Sequence, residues 1–214
     1  MIKAVLFDFD GTLADSLSFY VRAYDAALRK FGLTFSDKKI VSSCFGKTEE
    51  EICQNLKIKD VGVFRKTYFN AIDNLFKKVE LFPGVLKIFN LCQKKKIKLA
   101  VITFAYRWYI DRMINSLSLR KHFKIILSSD DVRSPKPHPE IALKACNNLG
   151  ISRNLTLVVG DSKSDIATGK AAGCQTALFI PEKHKMFYDF NILKKSNPDF
   201  VFNEFEELEG ILSK

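Results

Sequence analysis

The sequence predicts a doubly wound α/β protein: a parallel sheet covered by helices on both faces, interrupted near its start by a helical insertion. Three observations carry this. Short apolar runs recur along the chain with helix-like segments between them, the pattern of strand–helix alternation. The first four runs are each followed, directly or after one glycine, by a polar residue. The gap between the first run and the second is far longer than the ~10–12 residues of a minimal crossover, so a second module sits there.

The first run is Ala4-Val5-Leu6-Phe7, ending at Asp8, and its unbroken hydrophobicity suits a strand buried on both faces. Further runs follow at Leu99–Ile102, Ile125–Leu127, Leu155–Val159 and Thr176–Ile180, with a weaker one at Phe200–Phe202. Between them the spacing predicts helices over Gly84–Lys94, Tyr106–Leu117, Pro139–Leu149 and Ser164–Ala172. The insertion carries helical periodicity over Leu17–Phe31, Asp37–Val41, Glu49–Leu56 and Val61–Phe76. Pro83-Gly84 is the turn at which the chain re-enters the core. The expected division is therefore a core of residues 1–15 and 83–214 and a helical cap of residues 16–82.

Composition narrows the class. The chain has 214 residues, 47% hydrophobic and 27% charged, which excludes wholesale disorder and leaves room for one catalytic unit with an insertion. Lys and Arg number 34 against 24 Asp and Glu, a net charge of +10 that attracts anions weakly. The basic residues are scattered, and the densest run, Lys94-Lys95-Lys96-Ile97-Lys98, reads as a solvated helix end, so a nucleic-acid partner is not expected. Five cysteines without a C-x-x-C pair make a poor disulfide framework and read as inert core thiols. The start of the chain lacks a cleavable secretory pattern, and no apolar run approaches the ~20 residues of a membrane span. A cytoplasmic protein is expected, with no membrane partner and an oligomeric state that the sequence leaves open.

In open α/β sheets ligands bind at the carboxyl ends of the strands. The polar residues there are Asp8 and Asp10 after the first run, Thr103 after the second, Ser128 through Lys136 after the third, and Asp161 and Asp165 after the fourth. Asp8 and Asp10 alternate about Phe9, so both can face one cavity, and Gly11 permits a tight turn. Lys136 stands between Pro135 and Pro137, a restricted backbone for an incidental surface lysine. Each residue also has a bland reading: a strand-end hydroxyl at Thr103, an exposed turn lysine at Lys136, a first-turn acid at Asp165.

Asp8-Phe9-Asp10-Gly11-Thr12-Leu13-Ala14-Asp15-Ser16 resembles the first motif of the haloacid dehalogenase superfamily of phosphohydrolases, and Thr103, Lys136 and Gly160-Asp161-Ser162-Lys163-Ser164-Asp165 resemble the second, third and fourth in the family's order. The resemblance spans essentially the whole chain, and the insertion lies where that family carries a helical cap. It implies a phosphohydrolase using Mg2+, held by the carboxylates of Asp8 and Asp161 and the backbone carbonyl of Asp10. It also implies an aspartyl phosphate on Asp8, acid–base catalysis by Asp10, and phosphate contacts from Thr103, Lys136 and the Gly11 turn. Asp165 would orient Lys136 or a metal-bound water. The motif departs from its relatives after Thr103, where Phe104 and Ala105 replace the small polar residue often found there.

These residue types suit the chemistry. A phosphate dianion repels a carboxylate nucleophile unless a divalent cation neutralises the encounter, and magnesium prefers oxygen ligands. Dehalogenating and phosphonate-cleaving relatives do not need the second acid, so Asp10 argues for phosphate-ester chemistry. Sugar-phosphate mutases of the same capped type remain the alternative; they follow the cap loop with a basic residue where this chain has Glu49, and tend to open the fourth motif with an acidic pair where it has Gly160-Asp161. From another class, a phospho-aspartate signalling receiver carries its acidic pair on a separate strand and lacks the insertion, and an idle binding relative leaves the intact chemical positions unexplained. The expected partner is a small phosphorylated metabolite. Gly46-Lys47-Thr48 is the cap's candidate specificity loop: Lys47 either reaches the leaving group or points into solvent, and Thr48 caps the next helix with Glu51 as capping-box partner. His138 reads as a structural loop residue.

Overall fold

A computed structural model describes residues 1–75 and 78–213. Six parallel strands form one sheet in the order β3-β2-β1-β4-β5-β6. They are β1 (Ala4–Phe7), β2 (Lys98–Ile102), β3 (Ile125–Leu127), β4 (Thr156–Gly160), β5 (Gln175–Phe179) and β6 (Phe200–Phe202). The order reverses at β1, which pairs with β2 on one side and β4 on the other, Phe7 lying opposite both Val101 and Val159. That reversal opens a crevice beyond the carboxyl ends of β1 and β4. It explains why β1 is buried along its whole length and reads as an unbroken apolar run.

Alternation along β1 sends its side chains to two different layers. Ala4 and Leu6 join the cluster formed with α7 (Glu140–Leu149) and the end of α8 (Lys163–Ala172), including Ile141, Ala145, Leu149 and Ala172. Phe7 faces the opposite layer, 5.8 Å from Phe89 on α5 (Val85–Lys94) and 6.3 Å from Phe205, between ring centroids. Phe205 in turn meets Phe179 of β5 edge-on.

The chain divides into two compact units, Met1–Asp15 with Glu80–Lys183 and Asp189–Lys214, and Ser16–Val79 with His184–Tyr188. Within the first, the outgoing and returning segments are tied by hydrogen bonds from Asp15 N to the Glu80 carbonyl (2.9 Å) and from Phe82 N to the Leu13 carbonyl (3.0 Å). The second holds α1 (Leu17–Arg29), α2 (Asp37–Cys44), α3 (Glu49–Leu56) and α4 (Val61–Leu75). Its core is aromatic: Tyr24 of α1 stacks on Tyr68 of α4 at 4.3 Å and also meets Phe45 and Phe64. Ser36 caps α2, and Thr48 caps α3 in the reciprocal box with Glu51 that the spacing predicts.

Element boundaries differ from expectation in physically informative ways. Helix α8 begins at Lys163 because Ser162, one turn before Asp165, accepts the Asp165 N–H and caps it. Helix α1 stops at Arg29, and α2 continues to Cys44 rather than Val41. The predicted fourth cap helix runs to Phe76, which lies outside the described residues. Two short helices, α9 (Phe190–Lys194) and α10 (Leu208–Ile211), were not expected; at five and four residues they are too short to display a periodicity. Helix α6 occupies Arg107–Ser116 as anticipated to within a residue at each end. No helix among the described residues is long and apolar enough to cross a membrane, and all five cysteines are buried free thiols.

Candidate active site

Four strand ends converge on Asp8. The Asp8 N–H continues the ladder by donating to the Val159 carbonyl at 2.8 Å, so its carboxylate projects from the sheet edge at the switch point. The chain then turns sharply. The Phe9 carbonyl accepts the N–H groups of Thr12, Leu13 and Ala14, Gly11 N donates to the Ala14 carbonyl, and Gly11 itself sits at φ 80, where a side chain would be strained. The turn places the buried Thr12 hydroxyl 3.4 Å from Asp8 Oδ2 as a donor.

Lys136 is the hub. Its ammonium donates to Asp8 Oδ1 at 2.6 Å, to Asp165 Oδ1 at 2.5 Å and to the Ile102 carbonyl at 3.3 Å, and its side chain is only 4% exposed. The surface-lysine reading of this position is therefore wrong: the loop after β3 carries the side chain under the sheet edge, where two acids surround it. Asp165 is held from the other side. Its Oδ2 accepts the Ser162 N–H (3.1 Å) and hydroxyl (2.5 Å), so the capping box that starts α8 also holds Asp165 in place beside Lys136. Gly160 makes this possible, because a Cβ there would lie 2.3 Å from the Asp165 side chain.

Asp161 follows β4 directly and is 2% exposed. One carboxylate oxygen from each of Asp8, Asp161 and Asp165 lies within 4.8 Å of the others. The electrostatic consequence is strong. Burial, reinforced by the Asp165 and Asp10 charges and only partly offset by Lys136, pushes the Asp8 carboxyl up to about 7. Burial followed by repulsion from Asp8 and Asp165 holds the Asp161 carboxyl well above the usual carboxylate range. Burial works against the Lys136 ammonium, but Asp165 and Asp8 overcome it and its pKa rises. Three buried carboxylates around one lysine form an anionic, all-oxygen pocket, and a hard divalent cation such as Mg2+ fits that donor set.

Thr103 is buried at the end of β2, its N–H donating to the Leu127 carbonyl at 3.0 Å. Its hydroxyl oxygen accepts the Ala105 N–H at 3.1 Å, which orients the hydroxyl and leaves it a proton to donate. It does not cap α6, whose N-cap position belongs to Tyr106. The half-buried Asp10 accepts a 2.9 Å hydrogen bond at Oδ1 from the Tyr109 hydroxyl on α6. Sequence reasoning passed over Tyr109, and no local signal marks it. It also passed over Ser162, although S-x-x-D ahead of a helix is a legible capping signature.

The remaining predicted residues are placed as follows. His138 is exposed and accepts the Glu140 N–H through Nδ1 at 3.3 Å, a structural role. Within the helical unit, Gly46 has φ 67, and the Lys47 ammonium donates to the carbonyls of Ser42 and Ser43 at 2.9 and 2.8 Å, closing the end of α2. Glu49, nearly fully buried, has Arg65 Nε 3.5 Å from its carboxylate.

Comparison with known proteins shows the family. The family model for haloacid dehalogenase-like hydrolases matches residues 5–179. The pyrophosphatase PpaX of Oceanobacillus iheyensis is 28% identical over 218 residues, covering 99% of this chain and 97% of that protein. A phosphoglycolate phosphatase of Haemophilus influenzae is 28% identical over 226 residues, covering 98% of each. A solved structure from Bacteroides fragilis, assigned as a haloacid dehalogenase-like hydrolase, superposes with a TM-score of 0.84 at 27% identity, covering 97% of this chain and 100% of that one.

Proposed function

The chain belongs to the haloacid dehalogenase-like hydrolase family, and we propose that it is a Mg2+-dependent phosphatase that moves phosphate from a small monoester to Asp8 and then to water. The observation that carries this reading is the Lys136 ammonium shared by Asp8 and Asp165 beside the buried Asp161. A carboxylate with so much negative charge around it gains from a phosphate ester only if cationic groups meet the incoming charge.

Asp8 is the nucleophile: one of its carboxylate oxygens attacks phosphorus as the ester bond breaks. Asp10 gives a proton to the departing oxygen, then takes one from the water that cleaves the acyl phosphate, so the enzyme returns to its starting protonation. Lys136 faces the non-bridging oxygens, where negative charge accumulates, and Asp165 keeps it in place. Thr103 donates its hydroxyl, whereas the Gly11 N–H is already taken by the Ala14 carbonyl, so Gly11 shapes the turn that holds Asp10 beside Asp8 and does not bind phosphate through its own amide. Asp8 and Asp161, with the Asp10 carbonyl, would hold Mg2+, which supplies charge neutralisation between nucleophile and substrate when bound.

We assign choice of ester to the helical unit, residues 16–82 in the sequence division, with the Gly46-Lys47-Thr48 turn as its candidate segment. The mutase alternative is disfavoured on sequence: Glu49 follows the Gly46-Lys47-Thr48 turn where the mutases carry a basic residue. The substrate class is a small phosphorylated metabolite. A phosphate-release screen over such metabolites, with and without Mg2+, tests the proposal. Turnover that needs the metal and vanishes in Asp8→Asn is the expected result, and chelator-resistant hydrolysis by Asp8→Asn would refute it.

A further inference from the structure

Tyr109 is 5% exposed, and it lies on the buried face of α6 with Ile110, Met113 and Ile114. A phenol buried this deeply needs a hydrogen-bond partner. Its partner is Asp10 Oδ1, at 2.9 Å, across a sequence separation of 99 residues. We propose that Tyr109 is the positioning residue for Asp10: by fixing Oδ1 it sets the plane of the carboxyl group and so the place where Oδ2 exchanges a proton with the leaving group and with water. This inference rests on the acid–base role proposed for Asp10.

The support on either side of the bond is rigid, as positioning requires. Asp10 belongs to the turn held by the Phe9 carbonyl, and its backbone is bridged to Ala14. The start of α6 is pinned two residues before Tyr109. Arg107 N donates to Asp130 Oδ2 at 2.6 Å, and the Arg107 guanidinium donates to the Ile126 carbonyl at 3.0 Å, to Asp111 at 3.2 Å and to Asp131. Asp131 also accepts the Ser128 N–H and hydroxyl. The loop after β3 thus anchors the helix that carries the phenol, and Trp108 packs edge-on against the Tyr109 ring. A carboxyl group on a turn can rotate about two side-chain bonds; the hydrogen bond to a fixed ring removes that freedom. Displacing a catalytic group by about 1 Å costs ~100-fold in rate.

The test uses Tyr109→Phe, which keeps the ring and removes only the hydroxyl, beside Asp10→Asn and the double variant. All are assayed with Mg2+ on p-nitrophenyl phosphate, whose leaving group needs little protonation, and on glycerol 2-phosphate, whose alkoxide needs it. Tyr109→Phe is expected to lower kcat/KM, which reports transfer to Asp8 and not the hydrolysis step that both esters share, roughly tenfold or more on glycerol 2-phosphate, and to change it much less on the aryl ester. In the Asp10→Asn background it should have no further effect. Melting temperatures check that each variant folds. With Asp10→Asn impaired, wild-type rates in Tyr109→Phe, faster rates, or equal losses on the two esters overturn the inference and leave the acid–base role of Asp10 standing. Full activity of Asp10→Asn on the alkyl ester removes that role and the inference with it.

Discussion

Replacing Lys136 by Met keeps an unbranched side chain of similar volume and deletes the charge that Asp8 and Asp165 share. The wild-type ammonium makes contacts of 2.6 and 2.5 Å to two carboxylates, with side chains 9% and 1% exposed. Removing one member of a buried ion-pair network strands the others, at a cost of about 3–5 kcal/mol. For a chain of this size each kcal/mol lowers the melting temperature by ~2–4 °C, so Lys136→Met should melt roughly 10 °C below wild type at pH 8 without metal. The deficit should shrink at pH 5, where Asp8 can take up a proton and stop demanding a counter-charge. Saturating Mg2+ should narrow it at pH 8 by supplying charge to the same oxygens. Thermal unfolding followed by circular dichroism at both pH values, with and without Mg2+, reads all three effects. A variant as stable as wild type at pH 8 in chelator, or a deficit that ignores pH and metal, would refute the claim that Lys136 neutralises a buried carboxylate cluster.

Metal-free wild-type protein has its own pH dependence. Asp8 is raised in the fold from 3.8 to about 7, so its charged form is disfavoured there; its contribution to stability falls as pH rises through that window and is fully lost above it. Melting temperature in chelator should therefore fall from pH 5 to pH 8 and recover on adding Mg2+; a rise over that range would contradict the charge balance drawn here. Ser162→Ala removes the α8 cap and one support of Asp165, and should cost about 1 kcal/mol of stability and a larger factor in kcat than in KM; unchanged kcat would make the cap purely structural. Lys47→Ala deletes two hydrogen bonds to the end of α2 and should lower stability by about 0.5–1.5 kcal/mol. Unchanged stability with a loss of kcat/KM confined to one natural ester would instead make Lys47 a substrate contact.

The sheet and the four strand-end positions are legible in the sequence because burial on both faces forces continuous apolar runs, and the first polar residue after each run marks the ligand edge. Asp8, Thr103 and Asp161 follow from that rule alone. Lys136 does not. Its proline-flanked backbone and its place in the third motif single it out, but only the tertiary fold shows its ammonium shared by Asp8 and Asp165. Tyr109 was not legible at all, since its helix periodicity marks it only as core and its polar partner is 99 residues away. The grouping of the His184–Tyr188 segment with the helical unit was not legible either, since nothing local in the sequence links it to residues so much earlier in the chain. Lys47 shows a different limit: solvent and substrate were the alternatives considered, and the backbone of its own neighbouring helix provided a third partner.

The claim on which the rest depends is that phosphate passes through Asp8. Mixing the enzyme with p-nitrophenyl phosphate and Mg2+, quenching in acid within a turnover and analysing the peptides by mass spectrometry tests it directly. The account predicts a hydroxylamine-labile phosphate adduct on the peptide that contains Asp8, absent from Asp8→Asn. Rapid turnover with no adduct at any quench time, retained in Asp8→Asn, would contradict it.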